Sequence, residues 1–119
     1  MNSVMKRILL VLVFIPAVAG ADKAATTWDC TKQPTFVTSD NNGAFTLTGT
    51  CKQVLISGNK NMVKVEAAAF VALTGNENVV MGQTLTSVDA SGNKNAVTYK
   101  GKKPKWSSSG NGNKISATK

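Results

Sequence analysis

The side chains able to do chemistry are few and scattered. The carboxylates are Asp22, Asp29, Asp40, Glu66, Glu77 and Asp89, set against 14 lysines and arginines and no histidine. General acid–base work needs two titratable groups brought together with their proton affinities pushed apart, and these six share no spacing that would pair them. Without histidine a Ser-His-Asp relay cannot be assembled, and the commonest metal ligand is missing as well. Two cysteines, Cys30 and Cys51, are too few for a zinc site. The glycine-rich turns carry asparagine and lysine, which offer too little negative charge for calcium. A Ser-Lys pair is conceivable, but nothing marks one serine as special. The chain is expected to be no enzyme, with no cofactor and no metal.

One stretch stands apart: Lys100-Gly101-Lys102-Lys103-Pro104-Lys105-Trp106. Such a run can grip a phosphate-rich glycolipid, a wall polymer or an acidic protein, with Trp106 as a stacking anchor. Its alternative is a solvated loop in which Trp106 belongs to the core and closes the last coil. Nucleic acid is not expected as a partner, because the aromatic content is only 6% and no binding motif is present.

The amino terminus reads as an address. Lys6 and Arg7 precede an apolar run, Ile8 to Ile15, broken by Pro16 and followed by Ala17-Val18-Ala19. Basic, apolar and small-residue regions in that order make a secretory signal peptide over residues 1–19, helical before removal, with cleavage after Ala19 or Ala21. No apolar run reaches the ~18–20 residues of a membrane-spanning helix, so no stable membrane insertion is expected after cleavage. Loss of Lys6 and Arg7 leaves 12 basic and 6 acidic side chains, a net charge of +6. The product is expected to be periplasmic or secreted. An even pair of cysteines 21 positions apart in an oxidising compartment is expected to form a structural disulfide, Cys30–Cys51.

Those features must be positioned by a repeat. Ser57-Gly58-Asn59-Lys60-Asn61 recurs at Thr74–Asn78, Ser91–Asn95 and Ser109–Asn113, with a degenerate copy at Ser39–Gly43. The glycine-equivalent positions 40, 58, 75, 92 and 110 are 18, 17, 17 and 18 residues apart, the kind of period that marks a solenoid. Inward columns are expected at Phe36, Val54, Val71, Val88 and Trp106, and at Thr38, Ile56, Leu73, Ala90 and Ser108. Beyond the turn, two more are expected at Phe45, Val63, Val80, Val97 and Ile115, and at Leu47, Val65, Gly82, Tyr99 and Ala117. Apolar positions spaced by two on either side of a turn have the period of half-buried strands. Glycine is expected to supply a positive φ at each turn, and the aligned asparagines to stack into amide ladders. Val65 to Leu73 has helix-forming composition, but the 17-residue register requires Val71 and Leu73 on a strand. The predicted fold is all-β, a short right-handed parallel β-solenoid of about five coils, over residues 36–119 after a cap segment at 20–35.

A cysteine near the mature amino terminus, then Leu47-Thr48-Gly49-Thr50-Cys51, leads into Val54-Leu55-Ile56-Ser57-Gly58-Asn59-Lys60-Asn61. With Ala96-Val97-Thr98-Tyr99 after a further Gly-Asn-x-Asn, this cadence resembles the bacterial domain-of-unknown-function family 3060, over roughly Cys30 to Ile115. The resemblance implies a compact parallel β-solenoid in the envelope or secreted space. It brings no activity and no functional residues. The chain differs in lacking a lipid-bearing cysteine and in its Lys-rich insertion before the last coil.

Solenoids are commonly interaction scaffolds. The expected role is therefore a monomeric binding module for another envelope or secreted protein, inhibitor- or immunity-like. Lys100, Lys102, Lys103, Lys105 and Trp106 are the candidate contact residues. The competing expectations are a self-assembling matrix protein and a binder of anionic envelope polymer through the Lys-rich loop.

Overall fold

The computed structural model describes residues 25–118; the signal peptide expected over residues 1–19 and its expected cleavage point lie outside the described residues. Eight strands follow one another with no helix among the described residues. They are β1 Thr26–Asp29, β2 Thr35–Thr38, β3 Ala44–Ile56, β4 Met62–Leu73, β5 Val79–Ala90, β6 Ala96–Tyr99, β7 Lys105–Ser108 and β8 Lys114–Ala117. They pair in parallel throughout. Each of β3, β4 and β5 runs almost once round the stack. In the first coil that circuit is split between β1 and β2, and in the fifth between β6 and β7, with β8 stacked on β6 as the start of a further one. The result is a parallel β-solenoid of about five turns.

The inward columns stack in register. Phe36, Val54, Val71, Val88 and Trp106 lie one above another, as do Phe45, Val63, Val80, Val97 and Ile115. The valines of these columns are fully buried, each worth about 1.5–3 kcal/mol relative to exposure. Val65 to Leu73 is strand, so stacking overrides helix propensity there. A further column, Cys51, Ala68 and Leu85, lines the bend midway along each circuit. It explains Gly82: a Cβ there would overlap the Leu85 side chain. A large residue at the bend is matched by none at the neighbouring column, whereas Val65 sits with the small Ala68. The coil geometry also begins earlier than residue 36, because Thr26 to Asp29 pair with Phe45 to Thr48.

The corners differ from expectation in one respect. Positive φ falls not on the glycine but two residues later, at Asn42, Lys60, Glu77, Lys94 and Gly112, with φ between 57° and 73°. For a non-glycine residue that conformation costs about 1–2 kcal/mol. It turns the residue's own N–H up the stack: Lys60 donates to the Asn76 carbonyl at 3.0 Å, Glu77 to that of Asn93 at 2.9 Å and Lys94 to that of Asn111 at 2.8 Å. The preceding glycine is needed for closeness instead. A Cβ on Gly75 would fall on the carbonyl oxygen of Gly58, and one on Gly92 on that of Gly75.

Two asparagine ladders run along these corners, as the repeat predicts, with different wiring. The outer one is exposed and links amide to amide, each Oδ1 also accepting the backbone N–H of the asparagine one coil later. The Nδ2 groups of Asn59, Asn76 and Asn93 each donate to the Oδ1 one coil earlier at 3.2 Å. The inner one is buried and links amide to backbone. Asn78 accepts from the N–H of Asn61 at 2.9 Å through Oδ1 and donates through Nδ2 to the Gly58 carbonyl at 2.9 Å; Asn95 repeats this against Asn78 and Gly75. Leaving such buried groups unpaired would cost about 1–3 kcal/mol each. In the first corner Gly43 stands where the later corners carry the inner asparagine. Its N–H donates to Asn61 Oδ1 at 2.8 Å, and a side chain there would overlap Phe45 and Asn61.

The first coil is closed by non-repeating devices. Cys30 and Cys51 form a disulfide with their Cα atoms 4.9 Å apart, tying the end of β1 to the bend of β3. Closing a loop of about 20 residues contributes roughly 3 kcal/mol. Trp28 packs edge-on against Phe36 at 5.3 Å between ring centroids, and Phe36 against Phe45 at 5.1 Å.

Candidate functional site

The Lys-rich segment leaves the stack between β6 and β7. Gly101 takes a positive φ of 72°, which turns the chain outward, and the buried Pro104 brings it back. Proline suits that return because its ring fixes φ and needs no donor partner. From there Lys105 to Ser108 resume the register against Ser87 to Ala90, so the loop absorbs the extra residue of the 18-residue spacing.

The excursion opens a cleft of about 550 Å³ against the bend of β5. One wall carries Lys100, Lys102, Lys103 and Lys105; the other carries Gln83, Thr84 and Thr86, with Leu85 at the base. No carboxylate lines it. Four lysines therefore line one concavity that no carboxylate lines, beside residues with hydroxyl and amide groups able to donate hydrogen bonds. Such a focused positive field attracts anions and raises association rates with acidic partners. A second, shallower depression of about 470 Å³ crosses the outer face formed by the first halves of the coils, lined among others by Thr46, Lys64, Glu66, Met81 and Thr98. Gln83 and Lys100 line both, so the two adjoin.

Of the five residues that the sequence singles out, the four lysines are brought together and Trp106 is set apart. Trp106 lies above Val88 in the core column, half-buried and packed on the hydrophobic core, and does not line the cleft. Gln83, Thr84 and Thr86 escaped sequence reading, although the register that pairs Ser87 with Lys105 places them beneath the loop.

Among the described residues the carboxylates are dispersed. Glu66 accepts from the Gly49 N–H at 2.7 Å, Glu77 sits on a corner 3.9 Å from the exposed Lys60 ammonium, and Asp89 occupies the outward column between Ala72 and Ser107. Asp29 has its carboxyl held below the ordinary value of 3.8, first by the Thr31 hydroxyl and then by the Thr31 amide. Among the described residues no three His, Cys, Asp or Glu side chains converge as metal ligands would.

Fold and surface together define a small, disulfide-stapled parallel β-solenoid carrying a basic cleft. Residues 37–84 and 69–112 each match the model of the family described as "Protein of unknown function (DUF3060)". The chain belongs to that family, and the two overlapping matches reflect its internal repetition. No curated protein and no solved structure matches it.

Proposed function

We propose that the protein is an exported, non-enzymatic binding module that grips another protein of the cell envelope or extracellular space, in the manner of an inhibitor or immunity factor. The observation that carries this reading is the cleft between the Lys100–Lys105 loop and the β5 bend, lined by four lysines and no carboxylate. Its partner would present an acidic segment. The signal-like amino terminus and the Cys30–Cys51 disulfide support a periplasmic or secreted location. An anionic envelope polymer is the second reading, favoured by the same uncompensated charge.

The test is a pull-down from the envelope fraction with the oxidised protein and with a variant carrying Lys102→Glu, Lys103→Glu and Lys105→Glu. Wild type is expected to retain a protein that the variant loses. Retention of the same protein by both would remove the cleft as the binding surface. Protease treatment of the fraction separates the two readings: binding that survives it belongs to a polymer.

A further inference from the structure

Two Asn-Gly steps occur in the described residues, Asn42-Gly43 in the first corner and Asn111-Gly112 in the last. This dipeptide is the one most open to self-reaction. The glycine nitrogen can attack the preceding side-chain amide, with no Cβ in the way. The two steps have the same composition and opposite surroundings.

At Asn42 the nucleophile is engaged. The Gly43 N–H donates to Asn61 Oδ1 at 2.8 Å, and the Gly43 carbonyl accepts from the Met62 N–H at 2.9 Å. At Asn111 it is not. Among the described residues the Gly112 N–H and carbonyl have no hydrogen-bond partner, and both residues are exposed. The Asn111 side chain has also left the ladder. Asn59, Asn76 and Asn93 each donate Nδ2 one coil back, whereas Asn111 is bonded through its backbone alone, its N–H to Asn93 Oδ1 at 2.9 Å and its carbonyl to the Lys94 N–H at 2.8 Å. Electrophile and nucleophile are thus both free to turn toward each other.

We propose that Asn111 is a site of spontaneous deamidation in the folded protein. The Gly112 backbone nitrogen gives its proton to solvent base and forms a bond to Asn111 Cγ. The bond from Cγ to the side-chain nitrogen breaks, and that nitrogen leaves as ammonia, giving a five-membered cyclic imide. Water then opens the imide at either carbonyl, leaving aspartate or isoaspartate. The net change is amide plus water to carboxylate plus ammonium, with no other reactant. The product adds a negative charge beside Lys94, whose Cγ would lie 3.3 Å from a Cβ on Gly112. In its isoaspartate form it also lengthens the main chain of the last corner.

The test incubates the oxidised, folded protein in mildly alkaline buffer and follows two tryptic peptides by mass and retention time: the Trp106–Lys114 peptide, and the one containing Asn42. The Asn111 peptide is expected to convert about tenfold faster, the factor that one net hydrogen bond on the competing nucleophile represents, and to split into aspartate and isoaspartate forms. In reduced, denatured protein the two peptides should convert at similar rates. Equal rates in the folded protein, or an Asn111 peptide stable when folded and reactive only when unfolded, would overturn the proposal. The variant Gly112→Lys restores the Asn-Lys step that the positive-φ corners at Lys60 and Lys94 already tolerate and should abolish conversion; conversion at an unchanged rate would also count against it.

Discussion

The two ends of the solenoid solve the same problem by different means. Any stacked coil exposes an inward row and an unpaired strand edge at its last turn. At the first coil the row is covered by Trp28, Phe36 and Phe45 in mutual contact and fastened by the buried Cys30–Cys51 bridge. The turn after β1 is knit further: Trp28 Nε1 donates to the Gln33 carbonyl at 2.9 Å, and the Asp29 carboxylate accepts from the Thr31 amide at 2.9 Å. At the last coil there is no staple. Trp106, Tyr99 and Ile115 are only partly buried against the core, Ser108 and Ala117 are exposed, and Lys105 and Lys114 begin the terminal strands. Lysines on an edge discourage a further strand from pairing there. One end is held by covalent and aromatic closure, the other is guarded by charge. A repeat satisfies itself only in its middle, so the residues that break the pattern carry the information about its ends.

Three experiments bear on that contrast. The largest effect belongs to the middle: Gly75→Ala drives a methyl into the Gly58 carbonyl with coils packed on both sides, and should cost about 3 kcal/mol or more. Gly110→Ala meets the Gly92 carbonyl in the same way but in the last corner, where the coil can lift. Its loss in denaturant midpoint should be clearly smaller, and equal losses would mean that the last corner is as rigid as the middle. Next, Cys51→Ser should lower stability by roughly 3 kcal/mol under oxidising conditions. Amide exchange should quicken first around Thr26–Thr38, with Lys105–Ala117 little changed. An unaltered melting temperature would show that the staple contributes nothing. The smallest effect is a pH response confined to the first coil. The folded Asp29 carboxyl is held below its ordinary 3.8, so its support is present above that value and is lost as pH falls through the lower folded one. The Thr31 amide should lose protection in that acidic range, and Asp29→Asn should remove the dependence. The segment from Lys100 to Thr118 has no side-chain carboxylate and should not respond.

The columns were legible because a fixed period and an alternation of two leave little freedom once coils stack. The disulfide was legible from its context, and the ladders from aligned asparagines. What escaped lies where the period is locally broken. The Cys51–Ala68–Leu85 column mixes three residue types at a bend where strand alternation lapses, so neither composition nor spacing marks it. Positive φ was assigned to glycine because glycine adopts it most readily. The corner instead spends its glycine on close approach and tolerates strain at Lys60, Glu77 and Lys94, whose identities carry no trace of it. At the candidate site the lysines were conspicuous as a run, whereas Gln83, Thr84 and Thr86 are ordinary strand residues until the loop folds over them. Trp106 shows the converse: conspicuous beside the lysines, it faces the core.

Gly43 sets the first corner apart from those stacked on it. In each later corner an inner amide reaches down and engages the turn beneath. At the first corner that arm is absent, and the space it would need is taken by Asn61 and Phe45. The lowest rung of the inner ladder is therefore Asn61, whose amide holds the Asp40 carbonyl at 2.7 Å and the Gly43 N–H at 2.8 Å. The series thus terminates with both polar atoms of its final member bonded inside the molecule.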